Sequence, residues 1–193
     1  MKANSKRNAS TLSGNWRGVK SSLISMDKSG LVDLIHAMYD SDAKIKRGLI
    51  MRFVPSEKCL TKARKQVVAL VYPDPLGSDP ILVDEALNGI KTFYAVSGDA
   101  SSTCEILLDG IEAGTAQAVD LGIEDASYFN DLATMMSMVI SLQKGLSRPV
   151  RRQMLARVVR IHKLGKTVAF WHGETLTQML RSMRRLSRQA TRG

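Results

Sequence analysis

Cysteine occurs twice, at Cys59 and Cys104, which excludes a disulfide framework and a four-thiolate metal site. Both read as small buried hydrophobes. No run of 18 apolar residues is present, and the start of the chain lacks the apolar core of a secretion signal. Neither membrane contact nor Sec export is therefore expected, and a cytoplasmic protein is. Aromatic residues make up 5% of the chain, so platforms on which unstacked bases could lie are scarce. Proline is rare as well, and three of its five copies fall between Pro73 and Pro80. That stretch must be a loop, and it is the best internal boundary.

Acids are absent from residues 1 to 20, which hold Lys2, Lys6, Arg7, Arg17 and Lys20 and almost nothing apolar. Such a segment cannot offset its own ordering entropy and reads as a mobile basic arm. A mitochondrial transit peptide shares the lack of acids but needs an amphipathic apolar stripe.

The remainder, residues 21 to 193, has enough hydrophobic content for one packed domain, since 44% of the 193 residues are apolar. From Ser25 onward apolar residues recur at three and four. Each run is closed by Gly, Pro or an Asp/Ser cluster. Leu31, Leu34, Ile35 and Met38 mark a first helix. Ser41 and Asp42 offer caps for a second that carries Ile45, Leu49 and Phe53 and stops before Pro55. A third runs from about residue 56 to 72. Further helices are expected near 81–97, 101–121, 126–143, 148–164 and 172–190, with Gly98, Gly122, Gly145 and Gly165 as stops. The fold class is thus all-α: about eight mostly antiparallel helices in a bundle or short α-solenoid.

Charge is sorted along this framework. Residues 1–72 carry 14 basic and 5 acidic side chains, residues 73–143 carry 1 and 12, and residues 144–193 carry 13 and 1. In the last helix Leu176, Met179, Leu180, Met183 and Leu186 fill one arc, and Arg181, Arg184, Arg185, Arg188 and Arg192 the opposite one. In the helix before it Val150, Met154, Val158 and Ile161 face inward. Arg148, Arg151, Arg152, Arg160 and Lys163 lie mostly outside. Guanidinium groups contact phosphate bidentately, and counterion release adds affinity for each phosphate neutralised. These residues are the candidate nucleic-acid contacts, directed at the backbone of DNA or RNA. Glu105, Asp109, Glu112 and Asp120 form a negative stripe, which makes them candidate protein-interaction residues. The rival partner for the arginines is such an acidic face, on this chain or on another subunit.

Motifs that carry chemistry fail their context. Gly165-Lys166-Thr167 ends like a phosphate-binding loop, but Arg160 stands where the first glycine belongs. Ser25 and Lys28 match S-x-x-K without its companion elements. His172 and Glu174 match H-x-E with no P-C-x-x-C to follow. Gly110 and Gly114 suit close helix packing. Phe170, Trp171, His172, Gly173, Glu174 and Thr175 read as a hydrophobic staple with a polar cap before the last helix. His36 and His162 read as surface or hydrogen-bonded residues, and Met135, Met136 and Met138 as adaptable core. No catalytic constellation survives, no cofactor or metal is implied, and the expected class is a non-enzymatic subunit of a larger assembly or oligomer.

The order of landmarks resembles an uncharacterised bacterial helical family of unknown function. The stretch from Leu23 through Leu31 and Ile35 to Tyr39, followed by charges and Leu49 to Phe53, is similar to that family's opening. The segment Gly122, Asp125, Tyr128 and Phe129 resembles a later landmark, and Val168 to His172 one near the end, in altered order. The resemblance spans about residues 22 to 180, implies a helical fold and supplies no activity. The basic arm and arginine-rich end depart from it.

Overall fold

The computed structural model describes residues 15 to 54, 57 to 168 and 170 to 189. Among them the chain forms nine α-helices and no strand: α1 (Trp16–Ser25), α2 (Lys28–Ser41), α3 (Ala43–Phe53), α4 (Glu57–Val71), α5 (Val83–Ser97), α6 (Ala100–Leu121), α7 (Ala126–Leu142), α8 (Arg148–Gly165) and α9 (Phe170–Gln189). The all-α class is as expected, and the helix bounds agree closely from α2 onward. None of these helices is long and apolar enough to cross a membrane.

The first difference is α1. The basic arm was expected to reach residue 20, yet Trp16 to Lys20 are helical. Asn15 accepts the Gly18 amide at 2.9 Å and starts the helix, and Trp16, Val19 and Leu23 recur at helical spacing. Residues 1 to 14, with Lys2, Lys6 and Arg7, lie outside the described residues.

Contacts divide the chain into two compact units, Met1–Arg47 and Gly48–Gly193. In the first, Asp27 accepts the Gly30 amide at 2.8 Å and caps α2, and Asp42 Oδ1 caps α3 through the Lys44 and Ile45 amides. Neither α1 nor α2 has a buried residue. Leu34, Ile35 and Met38, which the periodicity marks as an inward face, are exposed.

The second unit is a bundle built on α6. Helices α4, α5, α7 and α8 pack against it, and α9 packs on α7 and α8. Short connections make sequence neighbours antiparallel: a Cβ on Gly110 would meet Met135 and one on Gly114 would meet Leu132, so α6 and α7 run oppositely. Helices separated by one intervening helix run the same way. Val67 meets Gly110, Val71 meets Gly114, and Tyr72 reaches Asp120, so α4 runs parallel to α6. The loop between α4 and α5, which contains Pro73 to Pro80, lies inside this unit, where the Leu82 amide bonds the Leu70 carbonyl at 2.8 Å.

Gly110 and Gly114 perform the packing role expected of them. A Cβ at Gly114 would stand 2.7 Å from Leu132 Cδ2 and 3.1 Å from Val71 Cγ1. The Tyr128 hydroxyl donates to the Gly114 carbonyl at 2.6 Å, pinning α7 at the same point. Leu107, Ile111, Leu132, Met135, Val158 and Leu176 centre the core. Met136 is buried with them and Met138 packs at their edge.

Candidate nucleic-acid interface

Helices α8 and α9 form an antiparallel hairpin, tied where His162 Nε2 meets Thr177 Oγ1 at 3.0 Å. Its inner surface is as expected: Met154, Val158, Ile161, Leu176, Met179 and Met183 are buried. Gly165 permits the close approach of the hairpin to α6, since a Cβ there would run into Thr115 Cγ2 and come 2.7 Å from Leu176 Cδ1. Its place beside Lys166 and Thr167 therefore has a packing explanation.

The outer surface is cationic. Arg148, Arg152, Arg160, Lys163, Arg184 and Arg185 are exposed, and none has a carboxylate within ion-pair distance among the described residues. The antiparallel register brings the start of α8, with Arg148 and Arg152, beside the end of α9, with Arg184 and Arg185. Arg151 differs, being half-buried with its Nε enclosed. Arg181 reaches Glu174 Oε1 at 3.8 Å, with its side chain 71% exposed. The Arg188 side chain and all of Arg192 lie outside the described residues.

The negative stripe is engaged within the chain. Asp109, whose side chain is 8% exposed, accepts from Arg64 of α4 and from Arg157 of α8. Arg157 Nε also donates to Glu112 Oε2 at 2.8 Å, and Arg64 Nη1 approaches Glu105 Oε2 at 3.5 Å. The hydrogen bond to Asp109 raises the pKa of the Arg64 guanidinium above its ordinary value. Asp120 accepts the Tyr72 hydroxyl at 2.6 Å, which raises the pKa of that phenol. Glu105, Asp109 and Glu112 thus meet arginines of the same chain, but the arginines are Arg64 and Arg157, not those of the outer α8–α9 surface. Neither is singled out by its position in the charge runs.

The aromatic segment before the last helix is part of it. Helix α9 begins at Phe170, so Trp171 and His172 occupy its first turn. His172 is buried, lies 4.8 Å from the Phe129 ring, and meets Thr115 Oγ1 at 3.2 Å. Thr115 already donates to the Ile111 carbonyl at 2.7 Å, so the histidine Nε2 carries the proton in this contact. Burial lowers the His172 pKa to about 4. Trp171, half exposed, borders a depression of about 260 Å³ beside His172 and Phe129. His36 is a surface residue beside Asp40, as expected. Cys104 is buried and its thiol pKa is pushed up to about 12, but Cys59 is exposed, contrary to the expectation for it.

A larger apolar cavity, about 580 Å³, opens between α4 and α5, lined by Ala63, Leu70, Leu82, Ile90 and Phe93 among others. No pattern in the sequence points to it. Among the described residues no three His, Cys, Asp or Glu side chains converge as a metal site. No family model matches the chain, and neither a curated protein nor a solved structure matches it.

Proposed function

We propose that the outer surface of the α8–α9 hairpin binds the phosphate backbone of nucleic acid, without an enzymatic step. One observation carries this reading. Arg148, Arg152, Arg160, Lys163, Arg184 and Arg185 are exposed and lack carboxylate partners among the described residues, while Glu105, Asp109 and Glu112 are already taken by Arg64 and Arg157. A surface rich in unpaired guanidinium gains from phosphate by bidentate hydrogen bonds and by counterion release. The scarcity of aromatics favours backbone contact over base reading. An adaptor joining subunits through opposed acidic and basic faces is the weaker reading, because the acidic stripe has internal partners.

The test is fluorescence anisotropy on single-stranded and duplex oligonucleotides over a range of salt, comparing the full chain with its Arg148→Gln, Arg152→Gln, Arg184→Gln, Arg185→Gln variant. Affinity should fall across all sequences, and the slope of log affinity against log salt should shrink by roughly 0.7 to 0.9 for each phosphate no longer neutralised. Equal affinity and slope in the two proteins overturns the proposal.

A further inference from the structure

Half of the large apolar side chains exposed among the described residues lie between Trp16 and Met38. Seven of these eight sit on two capped helices of 10 and 14 residues that bury nothing, and Met26 lies in the turn between them. Helices this short are marginal in water unless an apolar face is covered. On α2, at about 100° per residue, Leu31, Leu34, Ile35 and Met38 share one arc, while Asp33, His36 and Asp40 lie opposite. The arc is a seam without a lining.

We infer that α1 and α2 form a two-fold interface with a second copy of this chain, the two α2 helices crossing antiparallel near Ile35. Three features of the segment support this partner. The eight exposed residues from Trp16 to Met38 are 37% to 74% exposed. At about 200 Å² for a large side chain in full exposure, the seven other than Val32, which lies off the α2 arc, leave on the order of 700 Å², near what each partner gives a standard interface. The ends of α2 are complementary: under a two-fold at Ile35, Lys28 of one copy falls beside Asp42 of the other, twice. Finally, the polar face carries Asp33 and Asp40 where a helix lying on anionic lipid would carry Lys and Arg. That disfavours a membrane as the cover of α2.

The interface is tested on the full chain after nuclease treatment, so that a bridging polyanion cannot supply the contact. Light scattering should give twice the 21.2 kDa of one chain. Ile35→Asp, which places two carboxylates at the axis, should raise the dimer dissociation constant by on the order of a hundredfold with an unchanged far-ultraviolet spectrum. A second readout stands even if that variant misfolds. In a Cys59→Ser background, Ile35→Cys should cross-link two chains under mild oxidation, whereas Asp33→Cys, on the opposite arc, should not. A monomer at the highest accessible concentration, or equal cross-linking at positions 33 and 35, overturns the interface. Nucleic-acid affinity is read separately, so either proposal can fail alone.

Discussion

Asp109 of α6 and Arg157 of α8 meet as a nearly enclosed ion pair, with side chains 8% and 18% exposed. Arg157 also holds Glu112, and Asp109 also holds Arg64, so one carboxylate joins three helices. Removing one partner from such a pair leaves uncompensated charge in a poorly solvated place. Asp109→Asn should therefore cost about 3 kcal/mol, read as a lower denaturation midpoint. A loss under about 0.5 kcal/mol would show that the pair is solvated like a surface bridge.

The outer arginines should behave oppositely. The variant with Arg148, Arg152, Arg184 and Arg185 changed to Gln removes exposed groups with no carboxylate partner among the described residues. Its unfolding free energy should stay within about 0.5 kcal/mol of the parent. A large loss would mean that these side chains hold the hairpin together.

Acid should loosen the contact of α9 with α6 through His172. Its folded pKa, about 4, lies below the ordinary 6.5, so the unfolded chain binds the proton more readily. The neutral histidine's contribution is complete above about pH 6.5 and is lost as pH falls toward 4, by on the order of 3 kcal/mol. In His172→Phe, Thr115 keeps its bond to the Ile111 carbonyl, and the fall in melting temperature across that window should be shallower. An identical pH profile in parent and variant would remove His172 as the cause.

Two glycines offer a paired test. Gly114→Ala drives a Cβ to 2.7 Å from Leu132 Cδ2 at the crossing of α6 and α7 and should destabilise by about 1 to 3 kcal/mol. Gly89→Ala in α5 meets nothing within 4 Å and should stabilise by about 0.5 to 1 kcal/mol. Equal effects in thermal denaturation would contradict the packing at α6.

Helix placement was legible because caps and stops coincide with the breaks in periodicity. Asp99, Asp125, Gly98 and Gly122 stand where the apolar pattern halts, and each performs its local task. The inward arcs of α8 and α9 were legible for the same reason. What escaped was tertiary. Leu34, Ile35 and Met38 have the spacing of a buried face, and periodicity does not say whether the covering surface belongs to the same chain. The ion cluster did leave a trace: Arg64 lies in the apolar arc of Leu60, Val67 and Val71, and Arg157 in that of Met154, Val158 and Ile161. A single charge inside an apolar arc needs a buried counter-charge, and Asp109 between Leu108 and Ile111 is that counter-charge. Counting charges by segment conceals this, because it groups Arg157 with its exposed neighbours.

The ion cluster also bears on the order of folding events. Asp109 stands 45 residues from Arg64 and 48 from Arg157, so its bonds await the docking of α4 and α8 on α6. The α8–α9 hairpin closes over 15 residues at His162 and Thr177 and can form early. Stopped-flow traces of Asp109→Asn should then show most of the destabilisation as faster unfolding, with refolding little slowed. The charged junction would act as a late latch that sets how long the assembled bundle persists.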